Sequence, residues 1–167
     1  LLANGSPVIL KTSFENNFQF SAEDLDSVLT ENTRLLMLNS PSNPTGVTYT
    51  KDQYQIIAEV LKNYPDVLIA TDDMYEHIYW GEDKFYSFAE ACPDFFERTI
   101  TINGVSKAYA MTGWRIGYCG GPPKIIAAMK KIQGQSTSNA SSISQAAAVV
   151  ALNSTHESVH SMTREYE

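Results

Sequence analysis

The sequence predicts an α/β fold, and two observations predict it. Short apolar runs alternate with helix-length segments along the chain, the pattern of strands joined by helical crossovers. Two of those runs, Leu35-Leu36-Met37-Leu38 and Val67-Leu68-Ile69-Ala70, are apolar without a break, as strands are when helices cover both faces of their sheet. The 167 residues are 43% hydrophobic and 19% charged, enough for one globular domain with a real core.

The elements follow in chain order. Strands are predicted at Val8–Lys11, Leu35–Asn39, Val67–Thr71, Thr99–Asn103 and Ile116–Cys119. Between the second and third, Thr50 and Gln53 have the spacing of a capping box, so a helix begins at Thr50. Tyr54, Ile57, Ala58 and Leu61 then fall on one face of it. Pro122-Pro123 opens another helix, because proline suits a first turn. Its inward residues are expected to be Ile126, Met129 and Ile132, with Lys130 and Lys131 outward near its C-terminus, where cations favour the dipole. An alanine-rich helix is predicted over about Ser144–Leu152, and Glu157–Glu167 reads as the start of another.

Charge narrows the function. A net charge of −7 argues against a nucleic-acid partner, which would need a basic patch. No window approaches the roughly 20 apolar residues that span a bilayer, so no membrane partner is expected. Leu1-Leu2-Ala3-Asn4-Gly5 is no secretory signal and reads as mid-chain sequence, and Glu167 stops inside a helical pattern. The chain is therefore expected to be a piece of a longer protein. Cys92 and Cys119 lack metal spacing and read as reduced thiols of a cytoplasmic protein.

Three polar motifs follow strands, where open α/β sheets bind ligands. The first is Asn39-Ser40-Pro41-Ser42-Asn43-Pro44-Thr45-Gly46. Asn43 precedes a proline, which favours an extended backbone and an amide free to enter a cleft; by itself the stretch also reads as an ordinary turn. The second is Thr71-Asp72-Asp73-Met74-Tyr75-Glu76-His77. Asp72 and Tyr75 would share a face if a helical turn starts there, and a carboxylate at the end of a buried strand can hold a ring nitrogen protonated. The plainer alternative is that one aspartate caps a short helix.

The third motif is Ser106-Lys107-Ala108-Tyr109-Ala110-Met111-Thr112-Gly113-Trp114-Arg115-Ile116-Gly117-Tyr118. A Schiff-base lysine needs a partly desolvated site, and a guanidinium offers a planar fork to a phosphate. Amine and phosphate clamp together suit pyridoxal 5′-phosphate (PLP). The alternative is a solvated Lys107 and an Arg115 paired in the core. Gly113, Gly117, Gly120 and Gly121 suggest close backbone packing around Arg115. No P-loop, dinucleotide fingerprint or zinc spacing is present.

With these motifs in this order and spacing, nearly the whole chain resembles the central part of the large domain of fold-type I, PLP-dependent aminotransferases of class I/II. The run Asn103–Arg115 is most similar to bacterial aspartate/aromatic-type members. The resemblance implies a three-layer αβα fold with a mostly parallel central sheet, present here in part. An N-terminal segment and a C-terminal small domain would lie outside residues 1–167.

It also implies a role for each matching residue. Lys107 would be the Schiff-base lysine and the proton shuttle. Asp72 would keep the pyridine nitrogen protonated. Asn43 and Tyr75 would hydrogen-bond the phenolic oxygen, and Arg115 would grip the phosphate. Pro44 and Gly46 would shape the loop that delivers Asn43. Some members carry a phosphate-binding serine three residues before the lysine, where this chain has Gly104; Ser106 lies next to Lys107 instead. Tyr79, Trp80 and Trp114 read as packing residues and His77 as a structural hydrogen-bonder.

The implied reaction is transamination between an amino acid, of aspartate or aromatic type, and a 2-oxo acid, in a cytoplasmic homodimer. The 167-residue piece alone is expected to be nearly inactive. A PLP-dependent C–S lyase, or a PLP-binding sensor domain of a transcription regulator, would carry the same three motifs.

Overall fold

The structure is a computed structural model, described here over residues 3–81 and 83–166. A four-stranded sheet carries β1 (Leu35–Asn39), β2 (Leu68–Asp72), β3 (Thr99–Gly104) and β4 (Gly117–Gly120), side by side in that order. β1, β2 and β3 run parallel, and β4 is antiparallel to β3. The helices are α1 (Ala22–Val28), α2 (Lys51–Leu61), the short α3 (Phe88–Ala91), α4 (Pro123–Ser136), α5 (Ser142–Leu152) and α6 (Glu157–Tyr166).

Local chemistry explains the boundaries. Ser21 and Asp24 form a capping box at the start of α1, and Thr50 and Gln53 form the expected one on α2. Each satisfies two amide donors that a helix start leaves orphaned. Tyr54, Ile57, Ala58 and Leu61 are all buried, as their spacing predicts. They pack against Leu25 of α1, Leu29 just after it, Leu38 and Ile69 of the sheet, and Phe88 and Phe95. The Tyr54 ring meets Phe88 edge-on at 5.4 Å. Arg98 closes the far end of α2: its guanidinium donates to the carbonyls of Leu61 (2.8 Å) and Tyr64 (2.7 Å), where a helix end leaves acceptors open.

Several expectations need correction. Val8–Lys11 forms no strand; Val8 and Ile9 are largely exposed. An apolar run becomes a strand only where a partner edge is within reach, and the four strands of the sheet do not include it. Helix α4 buries none of its residues, and Ile132 is 72% exposed. The apolar stripe is there, but no described residue covers it. Lys130 and Lys131 lie mid-helix, because α4 continues to Ser136. On β1, Leu38 is buried while Leu35 and Met37 are exposed, so the described helices cover one face of that strand. Of the glycines after Lys107, Gly117 and Gly121 lie close against β3, whereas Gly113 and Gly120 have open space where a Cβ would stand. Gly104 and Gly117 are register partners, and a Cβ on Gly117 would lie 3.1 Å from the Asn103 carbonyl oxygen.

Candidate active site

Because β4 is antiparallel, its start lies beside the ends of the three parallel strands. Asn39 pairs in register with Asp72, and Gly104 with Gly117. The residues singled out from the sequence all sit at that one end of the sheet. Asn43 follows β1, Asp72 ends β2, Tyr75 lies in the turn after it, Lys107 follows β3, and Arg115 precedes β4.

Asn43 is delivered by a closed loop. The Gly46 amide donates to the Ser42 carbonyl and the Ser42 amide to the Val47 carbonyl, each at 2.8 Å. Gly46 has φ +72°, a left-handed conformation that glycine adopts without a Cβ penalty. The peptides before Pro41 and Pro44 are cis. The Asn43 side-chain amide donates to the Tyr75 hydroxyl at 3.0 Å. That leaves Asn43 with a second N–H and Tyr75 with its own proton, so the pair can offer two donors to one acceptor.

Asp72 is half-buried, and its Oδ1 accepts the Met74 amide at 3.1 Å. This is the capping-type turn of the plainer reading, and it commits only one carboxylate oxygen. Lys107 is half-buried, with Nζ 5.5 Å from the centre of the Tyr75 ring. Among the described residues its amine makes no ion pair.

Arg115 departs from the core-paired alternative. It is exposed, holds a left-handed backbone (φ +50°), and donates from Nη1 to its own loop at the Thr112 carbonyl, 2.9 Å. Tyr75 thus meets both Asn43 and Lys107, while among the described residues no hydrogen bond or ion pair ties the side chains of Asp72 and Arg115, at the same sheet end, to these three.

The structure also explains why no serine stands before the lysine at position 104. A Cβ there would meet the Met74 Cε at 3.1 Å and, at 3.2 Å, the Gly117 Cα and the Ile116 carbonyl oxygen. Two of those neighbours are backbone of the β4 strand and its approach, so a side chain there would push that backbone outward by a few tenths of an ångström.

The sequence gives little warning of three further features. Asn39 spans the two motif-bearing strands: its Oδ1 accepts the Asn43 amide at 2.9 Å and its Nδ2 donates to the Asp72 carbonyl at 3.0 Å. The only signal in the sequence is a short amide at the last position of a strand. Asp73 is 1% exposed, and neither of its oxygens has a hydrogen-bond partner among the described residues. Burial pushes its carboxyl up to about 7; the nearby Thr71 hydroxyl opposes the rise, and the charges of Glu76 and Asp72 add to it.

The third feature is an aromatic cluster. His77, Tyr109 and His156 pack ring against ring, with centroids 5.4–6.1 Å apart. His77 also lies 3.4 Å from Glu76, whose carboxylate accepts from the Asn103 amide at 2.7 Å. Trp80 lines a cavity of about 490 Å³ beside Asn43 and Tyr75, and its indole N–H donates to the Thr163 carbonyl. Cys92 is buried and Cys119 half-buried; both are free. The described residues contain no cluster of three or more His, Cys, Asp or Glu that could hold a metal. No helix among them is long and apolar enough to cross a membrane.

The site therefore presents an amine, an uncommitted carboxylate oxygen, two donors aimed from one pair, and a guanidinium. The model of the family "Aminotransferase class I and II" matches residues 2–167. The aspartate/prephenate aminotransferase of Nitrosomonas europaea is 56% identical over 153 residues, which is 92% of this chain and 38% of that protein. The aspartate aminotransferase of Rhizobium meliloti is 46% identical over 166 residues, 99% of this chain and 40% of that protein. A crystal structure of the Rhizobium meliloti aspartate aminotransferase superposes with a TM-score of 0.95 at 47% identity, covering 99% of this chain and 41% of that one. An aromatic aminotransferase from Pyrococcus horikoshii gives 0.92 at 38% identity, covering 99% and 44%. The chain spans about 40% of the length of these relatives. A four-stranded, mostly parallel α/β sheet with these motifs at one end, matched along its length by that model and these relatives, belongs to the class I and II aminotransferase family.

Proposed function

We propose that the protein containing this chain is a PLP-dependent aminotransferase, and that residues 1–167 form the central part of its cofactor-binding large domain. The observation that carries the reading is the gathering of Asn43, Asp72, Tyr75, Lys107 and Arg115 at one end of the sheet, with their spare donors and acceptors uncommitted.

Those spare groups fit pyridoxal 5′-phosphate. The second Asp72 oxygen would accept the ring N–H, and the Asn43–Tyr75 pair would donate to the phenolic oxygen. Lys107 would bond the aldehyde carbon. The Arg115 guanidinium, held by a single nitrogen to its own loop, would face the phosphate with the rest of its fork. When bound, PLP supplies a protonated ring that withdraws electrons from the substrate carbon.

The chain's own residues then have distinct tasks. The Asp72 carboxylate keeps a proton on the nitrogen it accepts from, because an opposite charge at hydrogen-bond distance favours the protonated form. Asn43 and Tyr75 favour negative charge on the oxygen they share. Lys107 Nζ, when not bonded to the cofactor, would be the base that takes the proton from the substrate Cα.

The substrates are an amino acid and a 2-oxo acid. Relatives named for aspartate and prephenate favour a dicarboxylic or aromatic type. We further propose a homodimer in the cytoplasm, consistent with free thiols, and no nucleic-acid or membrane partner, in line with the net charge of −7. The test is borohydride reduction of the PLP-loaded full-length protein, with peptide mapping and a coupled assay over several amino donors. Label fixed on Lys107 together with 2-oxo acid formation supports the reading. Elimination products without transamination favour a lyase, and no label removes the cofactor reading.

A further inference from the structure

We infer that Asn39 is a positioning residue of this site, one that sets where Asn43 stands relative to Tyr75 and Asp72; the inference rests on the PLP reading above.

Asn39 closes β1, opposite Asp72 in register. Its side chain makes two hydrogen bonds with opposite demands. The Asp72 carbonyl, at 3.0 Å, can only accept, so it requires the amide nitrogen. The Asn43 N–H, at 2.9 Å, can only donate, so it requires the amide oxygen. The two partners fix the orientation of the amide without ambiguity. No other proteinogenic side chain of this length carries one donor and one acceptor in that fork.

The consequence reaches the cofactor-facing atoms. The Asp72 carbonyl also accepts the Ser40 amide at 3.2 Å, so the ends of β1 and β2 are already joined there. Asn39 extends that joint by one more bond, to the backbone of Asn43. Asn43 in turn reaches Tyr75, 32 residues away in the chain, with its side chain. One amide thus couples the loop after β1 to the turn after β2. Without it, the backbone of Asn43 loses its tie to the sheet, and its side chain is held only by the Tyr75 hydroxyl.

The effect on chemistry has a definite sign. Donors at the phenolic oxygen favour the deprotonated form of the bound cofactor and lower its pH midpoint. A displaced Asn43 weakens one of those two donors, so loss of Asn39 raises the midpoint. Loss of one such hydrogen bond corresponds to about one pH unit, a tenfold change in the equilibrium.

The experiment uses the full-length protein, wild type, Asn39→Ala, Asn39→Asp, Asn43→Ala and the Asn39→Ala/Asn43→Ala double variant. Two readouts are taken: the pH midpoint of the visible band of the PLP-loaded protein, and hydrogen exchange at the Asn43 amide without PLP. Asn39→Ala is expected to raise the midpoint by about one unit and to speed exchange at Asn43 at least about tenfold. Asn39→Asp keeps the acceptor for Asn43 and turns a carboxylate oxygen toward the Asp72 carbonyl. It is expected to leave Asn43 exchange near the wild-type rate and to move the midpoint less than Asn39→Ala does, because the tie to Asn43 survives. The double variant is expected to match Asn43→Ala alone, because Asn39 acts through Asn43.

A midpoint unchanged in both single variants at Asn39 overturns the inference, and so does a double variant whose shift is the sum of the two. If neither variant folds, Asn39 belongs to strand-end stability and the inference is likewise overturned. Absence of a PLP band in the wild type would instead overturn the cofactor reading, so the two failures are distinct.

Discussion

The Asn43 amide donates to the Tyr75 hydroxyl at 3.0 Å, joining the loop after β1 to the turn after β2. Two donors then converge on one position, and each is oriented by the other. Tyr75→Phe and Asn43→Ala are each expected to lower kcat/KM of the full-length protein about tenfold, the scale of one hydrogen bond to a charged group. Their combination should cost less than the product, because either change alone already disorders the remaining donor. Steady-state kinetics on the four-member cycle decides this, and strictly multiplicative losses would show that the pair is not coupled.

Asp73 gives the protein a stability that depends on pH. Burial raises its folded-state carboxyl to about 7, against 3.8 for an ordinary aspartate. Below pH 4 the group is protonated whether the chain is folded or not, and burial carries no charge penalty. Between 4 and 7 the unfolded chain releases the proton while the folded chain keeps it, so stability falls as pH rises. Above 7 the penalty is fully present. Asp73→Asn should therefore raise stability by no more than about 1 kcal/mol near pH 4.5 and by up to about 4 kcal/mol at pH 8. Urea denaturation of the full-length protein at both pH values checks this; an equal gain at both would remove the charge explanation.

The sheet and the site were legible in the sequence to different depths. Leu35–Asn39 and the buried face of α2 follow from periodicity and capping, since both signals are local. The motif residues fell at one sheet end because parallel crossovers return each strand to the same edge. The apolar stripe of α4 was equally visible, but a stripe does not say what covers it, and Ile132 stands 72% exposed. Val8–Lys11 failed for a related reason, as a strand needs an edge to pair with. The glycines near Arg115 are visible as a cluster, yet the close approach of Gly117 and Gly121 to β3 depends on a register that no single segment encodes. Asp72 and Asp73 are adjacent and chemically identical. Only the alternation of β2 continuing through its end places one near the ligand-facing turn and the other in the core.

His156 links α6 to the site's outer wall. Its ring packs between His77 and Tyr109, and its backbone sits at φ +60°, where a side chain costs roughly 1 kcal/mol or more. His156→Ala loses the ring contacts and keeps the strain, whereas His156→Gly loses the contacts and relieves it. Both variants should be less protected than wild type in hydrogen exchange over Glu157–Tyr166. The glycine variant should be the more stable of the two by about 1 kcal/mol. An alanine variant as stable as the glycine variant would show that the left-handed backbone at this position carries no cost.

Gly104 lets β3 and β4 approach closely, and Lys107 follows the one strand while Arg115 precedes the other. It faces Gly117 across the β3–β4 pair, three residues before Lys107 and eleven before Arg115. A Cβ at 104 would lie 3.2 Å from both the Gly117 Cα and the Ile116 carbonyl oxygen, so the Gly104→Ala strand would have to move outward by a few tenths of an ångström. Met74 can swing its terminal methyl aside, but the backbone of β4 yields only by lengthening the ladder bonds. The expected cost is about 1–3 kcal/mol of stability. A larger functional effect should accompany it, because Arg115 is carried on the displaced strand while Lys107 stays with β3. PLP affinity of the full-length protein, read by titration of the cofactor-free form, should therefore weaken more in Gly104→Ala than in Thr50→Ala at the α2 cap, which costs about 1 kcal/mol and touches neither residue. Equal affinities in the two variants would show that the spacing of β3 and β4 does not set the phosphate grip.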